Sequence, residues 1–343
     1  MLKAKKLSFG DTVAILSPSS GISSLFRHRV DNGINFLESV GFKVKEYSTT
    51  RQFQDGNAGT AEERANDLMQ AFIDSEVKAI VCNIGGLSSN EILPLLQFDI
   101  LKLHPKVFCG YSDISILHLA LLSKVGLTTF YGPSLMTQFG EYPKPLDYTV
   151  NYFLKALTET SAIGEIKPSK KWTDEFLDWS QMKDLENPRE LYTNVDGHKW
   201  LKGGRAKGKI IGGCLYSILQ LKGTEYEPDY EGKILFIETP EGQQVSRGLP
   251  LPYVDSQIMD LRNAGIFDRI IGLVVGRGYG YSRTESKQFE NILIKHTQKY
   301  EFPVLCNANI GHTDPIITFP LNVTVTLDSE EKVFSIDENG VVD

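Results

Sequence analysis

Lys106-Val107-Phe108-Cys109-Gly110-Tyr111-Ser112-Asp113-Ile114-Ser115-Ile116-Leu117 is the stretch whose reading decides the fold. Its apolar start, led in by Pro105, reads as a short buried strand. Gly110 permits a sharp turn. Ser112 stands at that turn, and Ile114 to Leu122 reads as a helix. A strand, a turn and a helix with Ser at the apex hold a nucleophile clear of a sheet. They also set the next backbone N–H groups at a helix N-terminus, where an oxyanion can be held. The second Gly of the usual Gly-x-Ser-x-Gly elbow is absent, and a Ser in this place also serves as a plain helix cap. The segment alone leaves both readings open.

The flanking sequence repeats the same unit. Thr12 to Leu16 is an apolar run that ends in the turn-rich Ser17-Pro18-Ser19-Ser20-Gly21. Val30, Ile34 and Leu37 then mark an amphipathic helix closed by Gly41. Thr60 precedes a second helix, with Ala61, Ala65, Leu68 and Phe72 on one face and Glu62 and Glu63 in its first turn. Ala79 to Cys82 is a further strand, running into Ile84-Gly85-Gly86-Leu87-Ser88-Ser89-Asn90. Strands alternating with helices mean a parallel sheet covered on both faces, with ligands at the carboxyl ends of its strands. Residues 1–160 are therefore expected to form an N-terminal parallel-sheet α/β domain. Its loops at 17–21, 84–90, 110–113 and 131–134 should meet.

Residues 161–206 are polar and aromatic with little periodicity and read as a connecting segment. Residues 207–343 read as a C-terminal α/β domain. It has apolar strands at Ile210-Ile211, Lys233 to Ile237 and Ile270 to Val275, and a helix entered at Ser282 with Glu285 in capping-box spacing. Its alternating tail around Asp328 to Glu331 reads as a terminal β-hairpin. The active site is expected where the two domains meet.

Composition narrows the functions. The 343 residues are 41% hydrophobic and 23% charged, with a net charge of −7. That balance disfavours a nucleic-acid or anionic-membrane partner. No apolar run is long enough for a signal peptide or a membrane span. Cys82, Cys109, Cys214 and Cys306 each lie in or beside a buried strand and read as reduced core residues of a cytoplasmic protein. No His, Cys and carboxylate cluster has metal-ligand spacing, and no cofactor is expected.

A nucleophilic Ser needs a base, and six histidines are available. His28, His104 and His198 lie in polar settings. His118 falls roughly 120° around the helix from Ser112. His296 lies on the apolar face of its helix and reads as a core histidine. His312 stands in a Gly-His-Thr-Asp-Pro loop after a strand, the better functional setting, although a turn histidine reads the same way. Three carboxylates can orient a base: Glu238 at the end of an apolar strand, with Glu241 and Asp314 as rivals. Asp113 and the Gly85-Gly86 pair are candidate oxyanion donors.

Taken together, these residues resemble the LD-carboxypeptidase family of serine peptidases. The matching pieces are Gly10-Asp11-Thr12-Val13-Ala14 with Ser17-Pro18-Ser19, Glu63 to Leu68, Gly85-Gly86 with Ser89-Asn90, and Gly110-Tyr111-Ser112-Asp113. Gly132-Pro133, Gly212-Gly213, Leu235-Phe236-Ile237-Glu238 and Gly311-His312 continue the match. The resemblance implies Ser112 as nucleophile, Glu238 as orienting carboxylate and His312 as base, with Gly86 and Asp113 as oxyanion donors. Ser88-Ser89-Asn90 and the connecting segment with Phe176-Leu177-Asp178-Trp179 look more like the microcin C self-immunity branch. By that resemblance Gly85, Ser89, Asn90 and Trp179 contact substrate, with Trp179 stacking on a nucleobase. The implied substrate is a peptidyl or aminoacyl nucleotide, the alternative a murein tetrapeptide, and the implied assembly a homodimer. A non-catalytic two-domain binding protein is the reading from another class. An α/β-hydrolase esterase is disfavoured by the missing elbow Gly.

Overall fold

Thr12–Leu16 (β1), Lys43–Glu46 (β2), Val77–Cys82 (β3), Val107–Gly110 (β4) and Phe130–Tyr131 (β5) lie side by side in a computed structural model that describes residues 1–343. Their order is β5-β4-β3-β1-β2, all parallel. The near-continuous apolar character of β1, β3 and β4 follows from burial on both faces. Alternate residues go to opposite sides. Val13 and Ile15 pack with Val30 and Leu37 of the helix Arg27–Ser39 (α1). Ala14 and Leu16 pack with Leu68 and Phe72 of Ala61–Ile73 (α2) and with Leu117 and Leu121 of Ser115–Val125 (α3). Thr60 and Glu63 cap α2 reciprocally, as their spacing predicts. Asp147–Thr158 (α4) closes this half of the chain.

The second sheet has eight strands. They are Gly164–Glu165 (β6), Lys199–Lys202 (β7), Arg205–Cys214 (β8), Ile234–Glu238 (β9), Gly272–Gly276 (β10), Val304–Ala308 (β11), Thr324–Asp328 (β13) and Val333–Ile336 (β14). The order is β7-β11-β10-β9-β8-β13-β14-β6. β8 to β11 are mutually parallel neighbours. The long β8 serves two partners. Ile210 to Cys214 pair in parallel with β9, and Arg205 to Lys209 pair antiparallel with β13. The sheet curls at that change of partner, and β13–β14 is the expected terminal hairpin. Leu215–Gln220 (α5), Leu251–Asn263 (α6) and Arg283–Thr297 (α7) pack on this sheet, α7 entered by a Ser282–Glu285 capping box. No helix is long and apolar enough to cross a membrane.

Two features depart from the sequence expectation. The segment 161–206 is not free of regular structure. It supplies both edge strands of the second sheet, β6 and β7, and a small hairpin of Lys171–Trp172 with Tyr192–Thr193. These strands are two to four residues long and partly exposed, too short for a periodicity. Phe319–Pro320 (β12), late in the chain, pairs antiparallel with β5 in the first sheet.

Both apolar cores draw residues from the two halves of the chain. The two halves also meet at the turn after β4. Ser115 Oγ donates to Ser112 O at 2.6 Å and accepts the Cys214 N–H at 2.9 Å. Gly213 makes room, because a Cβ there would lie 2.3 Å from Ser115 Oγ. The carboxyl ends of β4 and β9 and the loop after β11 thereby converge.

Candidate active site

Ser112 follows β4 directly after Tyr111 and has φ of +63°. A left-handed conformation is uncommon outside glycine and marks a backbone held by its surroundings. It aims the Ser112 Oγ at His312, whose Nε2 is 3.0 Å away. His312 Nδ1 faces Glu238 Oε2 at 2.6 Å. Glu238 is the last residue of β9 and fully buried, so the apolar strand carries a carboxylate into the interior. Its other oxygen accepts the Tyr131 hydroxyl at 2.8 Å. Burial first, and then the charge of Glu238, push the Tyr131 pKa well up, which keeps it a donor. Burial alone would lower the His312 pKa. The charges of Glu238 and then Glu241 outweigh it and raise the value to about 9.

The two rival carboxylates lie elsewhere. Glu241 Oε2 is 3.4 Å from His312 Nε2, on the side away from Glu238. Asp314 accepts from Gln138 at 3.1 Å and pairs with Arg189 at 2.7 Å. Two of the other histidines are occupied in the interior. His118 is buried between Thr129 Oγ1 and Gly110 O, and desolvation lowers its pKa to about 4. His296 is buried on α7 against Asp255 and Arg262, as its place on the apolar face predicts. All four cysteines are buried free thiols. No three His, Cys, Asp or Glu side chains converge as a metal-binding group.

The Gly85 backbone packs closely beside the Ser112 hydroxyl. A Cβ on Gly85 would fall 2.9 Å from Ser112 Cβ, 3.0 Å from its Oγ and 3.1 Å from Asp113 N. Neither the Gly86 N–H nor the Asp113 N–H has an acceptor within the protein. The loops that meet here are tied together by the Asp113 carboxylate, which accepts from Ser19 Oγ at 2.6 Å and Ser89 N at 2.9 Å. Gly85 O accepts the Ser20 N–H at 3.1 Å. Beneath them Arg64 donates to Pro18 O, Ser88 O and Ser88 Oγ and pairs with Glu91. Sequence reasoning did not single out Arg64 or Tyr131. The one usable signal for Arg64 is an arginine on the apolar face of a helix.

Ser112, Glu238, His312, Gly85, Gly86, Asp113 and Ser89 are thus brought together. Ser89 Oγ is buried without a partner. Asn90 is exposed. Trp179 is half-buried and contacts none of these residues; its neighbours are Phe26, Phe176 and the Arg29 guanidinium, 4.7 Å above the ring.

A hydroxyl on a left-handed turn, an imidazole within reach, a buried carboxylate behind it and two free N–H groups define the serine hydrolase class. Residues 13–132 match the LD-carboxypeptidase N-terminal domain and residues 207–327 the LD-carboxypeptidase C-terminal domain. The chain belongs to the LD-carboxypeptidase family of serine peptidases. It is 32% identical over 340 residues to the microcin C7 self-immunity protein MccF of Escherichia coli, covering 98% of this chain and 96% of that one. It is 30% identical over 343 residues to a probable murein peptide carboxypeptidase of Bacillus subtilis, covering 99% and 95%. A solved structure of MccF in complex with aspartyl sulfamoyl adenosine superimposes with a TM-score of 0.91 at 31% identity over the whole of both chains.

Proposed function

We propose that Ser112, His312 and Glu238 are a catalytic triad that hydrolyses an amide or acyl bond of a peptidyl or aminoacyl nucleotide through an acyl-enzyme. Ser112 Oγ attacks the carbonyl carbon while its proton passes to His312 Nε2. The N–H groups of Gly86 and Asp113 receive the oxyanion. Glu238 holds the imidazole by Nδ1 and stabilises its cation. The Nε2 proton then goes to the leaving nitrogen. A water deprotonated by His312 Nε2 attacks the acyl-enzyme carbonyl, and the proton returns to Ser112 Oγ as the acid is released.

The observation that carries this reading is the 3.0 Å approach of Ser112 Oγ and His312 Nε2, with Glu238 buried behind. The nucleotide part rests on likeness to MccF with its sulfamoyl adenosine ligand. Gly85, Ser89 and Asn90 form the loop that would meet the acyl part, and Trp179 the base. Trimming of murein peptides is the second reading, favoured by the Bacillus subtilis relative. A cytoplasmic homodimer completes the proposal, in keeping with four free thiols. An active-site serine probe should label the wild type and not Ser112→Ala. Hydrolysis of aspartyl sulfamoyl adenosine, compared with a murein tetrapeptide, decides the substrate. Unchanged hydrolysis in Ser112→Ala would overturn the triad.

A further inference from the structure

Glu241 lies three residues beyond Glu238, in the loop after β9, and its Oε2 faces the His312 nitrogen that also faces Ser112. The two carboxylates differ in kind. Glu238 is sealed in the interior, whereas the Glu241 side chain is 42% exposed at the rim. His312 is the ion-pair partner of Glu241, and no lysine or arginine pairs with it. A carboxylate against Nε2 favours a proton on that nitrogen, the state in which imidazole cannot accept one from Ser112. This arrangement serves catalysis only if something arriving with the substrate draws the carboxylate away.

We propose that Glu241 receives a free ammonium group on the acyl side of the scissile bond, so that the chain selects acyl groups carrying an amine beside the carbonyl and is switched to its basic state by them. The inference rests on the proposed roles of Ser112 and His312. Glu241 Oε2 and Ser112 Oγ lie 3.4 Å and 3.0 Å from the same His312 nitrogen. That placement suits an α-ammonium on the carboxylate while its own carbonyl carbon lies against the hydroxyl. An aminoacyl group fits this description, and so does a diamino acid with one amine free. Binding the ammonium removes the Glu241 charge from Nε2, and the proton leaves more readily.

The groups that face His312 are few. Glu238 approaches from β9, Glu241 from the loop beyond it, and Asp314 from the histidine's own loop, already paired with Arg189. The rings of Tyr111 and Tyr279 flank the imidazole, with centroids 5.0 Å and 6.4 Å away. Among the three carboxylates, Glu241 alone is open to a ligand.

The test compares matched substrates with and without the free amine, drawn from both aminoacyl sulfamoyl adenosines and murein-type amides, on wild type and Glu241→Gln. Wild type should prefer the amine by about 10- to 100-fold in kcat/KM, as for one charge-assisted hydrogen bond. Glu241→Gln should lose that preference from both sides: amine-bearing substrates lose their anchor and turn over more slowly, and amine-free ones turn over faster because His312 Nε2 is no longer held protonated. In the free protein, the His312 titration followed by NMR should move to lower pH in Glu241→Gln. An unchanged preference, an equal loss on both substrates or an unmoved titration would each overturn the proposal. Hydrolysis that survives Ser112→Ala would overturn the triad instead, and the NMR titration would still report on Glu241.

Discussion

Tyr131 and Glu238 are joined across the two sheets: the hydroxyl at the end of β5 donates to the Oε1 of the carboxylate at the end of β9, at 2.8 Å. Glu238 uses its other oxygen for His312, so both acceptors of this buried group are engaged on the site side. Tyr131→Phe strips one of them and leaves a buried carboxylate oxygen unsatisfied. The expected cost is about 1–3 kcal/mol of stability, and kcat/KM should fall by about 10-fold or more, because Glu238 is freed to turn. Urea unfolding and steady-state kinetics measure the two. A variant with full activity would show that Tyr131 only fills space.

With His312 as the proposed base, its titration should set the pH dependence. Burial lowers its pKa, but the charges of Glu238 and Glu241 outweigh burial and raise it to about 9. A general base must be neutral, so kcat/KM should rise about tenfold per pH unit up to about 9 and then level off. The stability effect has the opposite sense. A raised histidine pKa contributes stability that is fully present below the ordinary value of 6.5 and is lost as pH rises through about 9. Unfolding midpoints and rate profiles between about pH 6 and pH 10 check both. A profile already flat at neutral pH in the free enzyme would contradict the raised pKa of His312, and a profile without any such limb its role as base.

Gly85→Ala probes the close packing beside the Ser112 hydroxyl. The added methyl would sit about 3 Å from both Ser112 Oγ and the Asp113 nitrogen, where a carbonyl oxygen needs to be. The loss in kcat should be roughly 100- to 1000-fold, the range seen when oxyanion stabilisation is removed. Relieving the close contact should cost about 1–3 kcal/mol of stability. Activity within a few-fold of wild type would place the oxyanion elsewhere.

Much of this architecture is legible in the sequence because it is local. The apolar runs of β1, β3, β4 and β9, the capping boxes at Thr60 and Ser282, and the turn after Gly110 each announce themselves within a few residues. Strand ends then mark where polar residues such as Glu238 gather. What escapes is long-range. Lys199–Lys202 is a strand only because β11 lies beside it, and Phe319–Pro320 only because β5 does. Arg64 looks like one more helix charge until the Ser88 loop folds over it. Arg189 has no local pattern at all, yet it reaches the buried carboxylates of Glu141 and Asp314.

That partly buried arginine ties the connecting segment to the histidine loop. Thr173 and Asp314 exchange backbone hydrogen bonds at 2.7 Å and 2.9 Å, and Arg189 closes over the Asp314 carboxylate. Arg189→Ala leaves two carboxylates facing each other with little solvent. The expected destabilisation is about 3–5 kcal/mol, the range for one partner removed from a buried ion pair. Faster proteolysis within residues 174–190 should accompany it. A stability change below about 1 kcal/mol would mean that the pair behaves as an exposed one.

Trp179 is where substrate choice and packing compete for one side chain. The Arg29 guanidinium lies 4.7 Å over its ring, and Phe26 meets it edge-on at 5.6 Å. Arg29 is itself fixed by Met136 O, Thr137 O and Asp184, so the covered side of the ring is rigid. The ring remains half-exposed, which leaves area for a planar ligand. Stacking of a base on an aromatic ring is worth ~1–3 kcal/mol. Trp179→Ala should therefore raise KM for an adenine-bearing substrate roughly 5- to 150-fold and leave kcat nearly unchanged, as when uniform binding is removed. A matched substrate without adenine should be unaffected. An equal effect on both substrates, accompanied by a lower unfolding midpoint, would assign the ring to packing against Arg29 and Phe26.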